Sequence, residues 1–273
     1  MSIERLFLGR FFPKSVRDDV FKLYSFVHTV REFTEVNPPD VTKFEHIEQR
    51  WQPIKAELTD RQVPAPLDDS VSERVLANIA YLVHRHSFDL AWVDAFLHSM
   101  RWDLQKHQYR SFKDLSMYMY GSSEVVGLML ARILGLPEEY MKTARLQGRA
   151  MQYMTFLKEI AVQNEKGYSY FPTSELKKYG LINLSEKEAR KKPGMFADFM
   201  HAELLRYAQW QAEANEGFAH IPKRLRVPLL TMVDMHNWSA RQLKYDPLSV
   251  YERKLNPRRR QVVRQAVRHS ISR

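Results

Sequence analysis

The chain has 273 residues, a formal net charge of +10, only 9 glycines and no cysteine. That length suits one large helical domain or two ordinary ones, and the missing cysteines exclude disulfides, thiolate metal sites and cysteine nucleophiles. The positive charge favours anionic partners (diphosphates, acidic lipid surfaces, nucleic acid), although charge alone serves solubility equally well.

Few glycines and long stretches of helical periodicity predict an all-α fold, since strand-rich chains need more tight turns. No run of roughly 18 apolar residues marks a membrane span. Met1-Ser2-Ile3-Glu4-Arg5-Leu6 has neither a long apolar run nor a small-residue cleavage site, so no signal peptide is expected. Phe11-Phe12-Pro13-Lys14 opens the first helix, with Pro13 suited to an early helical position. Val16, Val20, Leu23, Tyr24, Val27 and Val30 form its apolar stripe, and Asn37-Pro38-Pro39-Asp40 stops it. Near its end Glu32 and Glu35 are three apart and can share a face; taken alone they read as a solvated acidic helix end. Residues 41–62 carry many charges and predict an exposed helix.

Val63-Pro64-Ala65-Pro66-Leu67-Asp68-Asp69 fits a connection between helices, and Val71 to Phe88 is amphipathic. His84 and His86, two apart, point to different sides of a helix and read as surface histidines, not a metal pair. In the segment from Trp92 to Tyr109, Asp103 among aromatics reads as a buried hydrogen-bond anchor. Between Tyr118 and Leu136, the small residues Gly121, Ser122, Ser123 and Gly127 leave room for a neighbouring backbone or an alkyl chain. Glu124 is an unusual charge in that apolar stretch. The glycines are too scattered for a phosphate loop, and no nucleic-acid motif appears, so no nucleic acid is expected.

From Arg145 to Phe171, residues Leu146, Ala150, Tyr153, Met154, Leu157 and Ala161 recur at helical spacing. Glu159 and Gln163, four apart, are predicted to project from one side. A Gly167-Tyr168-Ser169-Tyr170-Phe171-Pro172 turn follows. Further helices are predicted over 197–215 and 225–239, before a tail carrying Arg258, Arg259, Arg260, Arg264 and Arg268. Such a tail suits peripheral contact with anionic lipid or plain solvation. The expected location is cytoplasmic, peripheral on the inner face of a membrane.

These stretches resemble the squalene and phytoene synthase family over nearly the whole chain. Leu23-Tyr24-Ser25-Phe26-Val27 matches the frame before its first acidic motif, with His28 in an Arg place, Arg31 and Glu32 where two aspartates are expected, and Glu35 at the third. Asp103-Leu104, Tyr109 and Asp114-Leu115 fall in family positions, with Ser99 in a Gly place. Met151-Gln152 matches the Leu-Gln that opens the second acidic motif. Lys158 takes an Arg place, Thr155 an Asn, Glu159 and Gln163 the two Asp positions, and Tyr170-Phe171-Pro172 the later turn. Glu4-Arg5 stands where the family has Ser-Phe.

The resemblance implies a single all-α domain, a helical bundle in which helices near 16–36 and 146–163 face a central cavity. Its expected lining includes Tyr24, Phe26, Val27, Tyr120, Gly121, Val125, Met154 and Leu157. The implied chemistry is head-to-head condensation of two C15 or C20 prenyl diphosphates, with magnesium neutralising the departing diphosphate. The resemblance assigns Glu32, Glu35, Glu159 and Gln163 to catalysis, with the three glutamates as Mg2+ ligands, and His28, Arg31, Tyr24, Tyr120, Gln152, Lys158 and Tyr170 to the substrate. Arg31 and Gln163 cannot be anionic ligands, and Arg31 suits direct binding of a phosphate. Two readings follow: a divergent prenyltransferase, or a catalytically inactive member that binds an isoprenoid, a lipid or a protein, as respiratory assembly factors of this family do.

Overall fold

The computed structural model describes residues 12, 14–36, 38–105 and 108–271. Glu4-Arg5, Phe11, Pro13 and Asn37, on which sequence expectations fell, lie outside the described residues. The predicted all-α class is what the chain adopts: among the described residues the one β feature is an isolated parallel bridge between Gln108 and Ser169.

The helices are α1 (Lys14–Glu35), α2 (Val41–Thr59), α3 (Val71–His86), α4 (Leu90–Gln105), α5 (Phe112–Met119), a π turn (Tyr120–Glu124) and α6 (Val125–Ile133). Then come α7 (Met141–Lys158), α8 (Ile160–Glu165), α9 (Thr173–Lys178), α10 (Glu186–Lys191), α11 (Pro193–Asn215), α12 (Lys223–Tyr245), α13 (Ser249–Glu252) and α14 (Arg259–Ile271). They form two compact units: one from the described residues of Phe12–Lys106 and Tyr118–Arg145, the other from those of His107–Met117 and Leu146–Arg273.

In the first unit α1 buries Val20, Leu23, Phe26, Val27 and Val30 against α3 and α4. The Phe26 and Phe96 rings meet at 5.4 Å between centroids. Each such side chain, fully buried, contributes about 1.5–3 kcal/mol. The helix over 41–59 is not the exposed one expected: Phe44, Ile47, Trp51, Ile54 and Leu58 are buried on one of its faces. Charges between these positions hid that stripe in the sequence. The Trp51 indole N–H donates to Asp94 Oδ1 at 2.8 Å, which meets the polar requirement of a buried tryptophan.

The entry to α3 is fixed by an N-cap serine and a buried glutamate. Ser70 Oγ accepts from the Glu73 N–H at 3.2 Å. The Glu73 carboxylate, 1% exposed, accepts from Arg50 Nε at 2.9 Å and from the Leu67 N–H at 3.0 Å. A buried charge survives only when so surrounded. Hydrogen bonding from the Arg50 guanidinium holds the Glu73 carboxyl below its usual range, against the opposing effect of burial. The histidines of α3 separate: His84 is exposed, whereas His86 lies half-buried with Nε2 2.8 Å from Asp19 Oδ2.

In the second unit the predicted face of α7 is buried at Leu146, Ala150, Tyr153, Met154 and Leu157. Tyr153 stands in an aromatic cluster, edge-on to Trp210 at 5.1 Å and to Phe171 at 5.7 Å. Its hydroxyl donates to Glu203, and burial followed by the Glu203 charge pushes its pKa well up, so it stays a donor. Arg206 completes the network, donating to Glu203 at 2.9 Å and to Glu175 at 3.3 Å while lying over the Phe112 ring at 4.3 Å.

Glu73→Gln is expected to lower unfolding stability by about 2 kcal/mol at neutral pH, because it weakens charge-assisted bonds inside the core. A depressed folded-state pKa stabilises above the unfolded value and loses that contribution as pH falls through the folded value. The gap to wild type should therefore close below the usual glutamate value of 4.5. Urea titrations across that range check it; a gap independent of pH would assign the effect to packing.

Candidate functional site

In the first unit, helical spacing gathers Tyr24, His28, Arg31, Glu32 and Glu35 on the side of α1 opposite Leu23, Phe26, Val30 and Phe33. His28, Glu32 and Glu35 are exposed, and His28 Nδ1 stands 3.6 Å from Glu32 Oε2. Tyr24 and Arg31 are half-buried at the edge of this face. The Arg31 guanidinium turns toward the π turn and donates through Nη2 to the Ser122 carbonyl at 2.6 Å. An aspartate could not make that bond, since an ionised carboxylate only accepts.

The π turn itself is positioned by Gly121. A Cβ there would lie 2.1 Å from both the Ala95 carbonyl oxygen and Ser99 Oγ. The room left by the small residues is thus taken by the backbone of α4, not by an alkyl chain. Ser99 Oγ donates to the Tyr118 carbonyl at 3.1 Å, and the Tyr118 hydroxyl donates to Asp103 at 3.1 Å, which makes Asp103 the expected buried anchor. Single π turns inside α-helices recur at functional sites. This one carries Glu124, fully buried, whose Oε2 is 2.8 Å from Arg145 Nε. The Arg145 guanidinium lies 5.9 Å from the centre of the exposed Tyr120 ring. The sequence flagged Glu124 as an odd charge but gave no sign of its partner.

In the second unit the helix predicted over 146–163 breaks at Glu159, where φ is −110° and ψ 14°, between α7 and α8. Glu159 is exposed at the break. Gln163 is 8% exposed and donates through Nε2 to the Phe156 carbonyl at 3.2 Å. The expectation that Glu159 and Gln163 project together is corrected: the break turns Gln163 back into the helix end. Thr155, in the Asn place, donates to the Met151 carbonyl at 3.0 Å.

Lys158 Nζ is 3.3 Å from Asn256 Oδ1. Its charge, after burial, contributes to lowering the pKa of His236 to about 3, so that buried imidazole is neutral. Neither Asn256 nor His236 was visible as a neighbour, being so distant along the chain. Gln152 is half-buried on α7. Tyr170 is half-buried too, stacked on Phe156 at 4.0 Å and 12° and facing Tyr109 at 5.9 Å. Phe26, Val125, Met154 and Leu157 of the expected lining are completely buried.

Glu32 and Glu35 belong to the first unit and Glu159 to the second. Among the described residues no three His, Asp or Glu side chains stand close enough to hold a metal ion. Arg31 has no acceptor atom to offer magnesium, which takes oxygen ligands, and Gln163 has only a neutral amide oxygen.

The sequence profile described as Squalene/phytoene synthase matches residues 4–266. Phytoene synthase 2, chloroplastic, of Oryza sativa subsp. japonica is 28% identical over 174 residues, covering 61% of this chain and 42% of the rice protein. Phytoene synthase 1, chloroplastic, of Arabidopsis thaliana is 28% identical over 160 residues, covering 56% of this chain and 38% of the relative. The matches thus span about two fifths of the length of these relatives. The fold is shared with a dehydrosqualene synthase solved in complex with ligand, with a TM-score of 0.78, 17% identity, and 98% and 90% of the two chains covered. It is also shared with squalene synthase HpnC from Alicyclobacillus acidocaldarius, with a TM-score of 0.73, 18% identity, and 88% and 87% covered.

Gln163→Asp is expected to destabilise the chain by about 1–3 kcal/mol, because a buried carboxylate would face the Phe156 carbonyl without a proton to donate. Gln163→Glu keeps the length but not the donor and should lose a similar amount. Thermal melts check both; a stabilised Gln163→Asp would show that the position is built for a carboxylate.

Proposed function

Because the chain belongs to the squalene/phytoene synthase family, we propose that it binds a prenyl diphosphate or a closely related isoprenoid lipid without condensing two of them. The observation that carries this reading is the bond from the Gln163 amide to the Phe156 carbonyl, at a position where the resemblance calls for a metal-binding aspartate. Arg31, at another such position, likewise donates to a backbone carbonyl. Transition-state stabilisation of a departing diphosphate depends on preorganised charge, and losing one such group typically costs a hundredfold or more in rate, roughly. Two changed positions of opposite chemistry therefore weigh against turnover more than against binding. The net charge of +10 favours an anionic ligand. Arg31 in the first unit, at an aspartate place, and Lys158 in the second, at an Arg place, are the cations that suit a phosphate.

The second reading is a working head-to-head prenyltransferase. It is favoured by the exposure of Glu32 and Glu35 on α1 and, in the other unit, of Glu159 at the helix break.

Titration with farnesyl and geranylgeranyl diphosphate separates the two readings. Calorimetry with and without magnesium should detect binding of at least one of them, while pyrophosphate release stays at the level of a protein-free control. Magnesium-dependent release of pyrophosphate would establish the transferase, and absence of binding by either diphosphate would remove the proposed ligand class.

A further inference from the structure

We propose that α14 is a peripheral membrane contact whose outer face takes up anionic phospholipid headgroups. The helix docks on α12 through Val262 and Ala266, 1% and 2% exposed, and through His269, whose Nε2 is 2.7 Å from Asp234. Those contacts use one side only. Val263, Val267 and Ile271, spaced by four and 55%, 51% and 74% exposed, form a second apolar stripe that faces solvent. Arg260 lies within this stripe by helical position, with Arg259 and Arg264 at its edges, and all three are exposed.

From Arg253 to Ile271 the chain holds seven Lys and Arg and no Asp or Glu, so the cations are not neutralised by neighbours in sequence. Beside the stripe, a cleft of about 550 Å³ opens between α12 and α14. Trp238 and Val262 give it apolar walls, and Arg241, Arg264 and Arg268 give it cations.

A solvated basic tail needs no exposed valines, and a site for a free polyanion needs no apolar stripe. An anionic bilayer surface uses both at once, the arginines at headgroup level and the apolar face below them. Tryptophan is suited to the same interface. No helix among the described residues is long and apolar enough to cross a membrane. The 13-residue α14, about 20 Å long, would lie in the plane of the surface.

Sedimentation of the full chain with vesicles tests this. Binding is expected to phosphatidylcholine mixed with phosphatidylglycerol, to weaken steeply with salt, and to be negligible on phosphatidylcholine alone. Removing two cations by Arg264→Gln with Arg268→Gln should weaken it about thirty-fold. Val263→Asp with Val267→Asp should abolish it without moving the melting temperature, since both side chains are exposed. Removing the same charge from α10 by Lys187→Gln with Lys191→Gln should change binding by less than about threefold. Equal loss in that control, full binding by the aspartate pair, or saturation by inorganic phosphate without any vesicle binding would each overturn the proposal.

Discussion

At the helix break after α7 the Phe156 carbonyl accepts twice, from the Glu159 N–H at 3.3 Å and from the side-chain amide of Gln163 at 3.2 Å. The second of these bonds ties α8 back to the last turn of α7. The helix stops at Lys158 and restarts at Ile160. α8 ends at Glu165, where the Lys166 N–H closes on the Val162 carbonyl at 3.2 Å, and Gly167, at φ +75°, then reverses the chain into the turn that stacks Tyr170 on Phe156. A carboxylate of either length at 163 lacks the proton this geometry needs.

The first unit obeys the same rule at another place. Arg31 is a donor where the family resemblance calls for an acceptor, and it holds the Ser122 carbonyl of the π turn. Gly121 lets that turn sit directly on the backbone of α4, and the buried Glu124 is balanced by Arg145. At both altered motif positions the substituted side chain has become part of the local architecture. Restoring aspartates there would thus change the fold's hydrogen bonding as well as any ligand set, which separates this chain from one that has merely lost a ligand. The glutamates at 32, 35 and 159 are exposed.

Much of the fold was legible because burial follows helical periodicity: of the α1 stripe read from spacing Val20, Leu23, Val27 and Val30 are buried, while Val16 and Tyr24 are half-buried, and α7 buries Leu146, Ala150, Tyr153, Met154 and Leu157. The family could be read from short runs such as Leu23-Tyr24 and Tyr170-Phe171-Pro172. Other features left no local trace. The break at Glu159 falls among Ile160, Ala161 and Val162, which do nothing to forbid a continuous helix, and its stabilising bond joins residues seven apart. The core of α2 was hidden by the charges interleaved with it. The partners of Tyr153, Glu124 and Lys158 come from far along the chain, where no spacing rule connects them.

Arg31 and Gln163 each donate to a backbone carbonyl of the fold, and on that account neither ligates a metal. The most direct measurement is a crystal structure grown with magnesium and an unreactive farnesyl thiodiphosphate. The Gln163 amide should remain on the Phe156 carbonyl and the Arg31 guanidinium on the Ser122 carbonyl, with the diphosphate bound and no magnesium coordinated through residue 163. A Gln163 side chain swung out of the helix break to ligate magnesium beside Glu159 would contradict the claim.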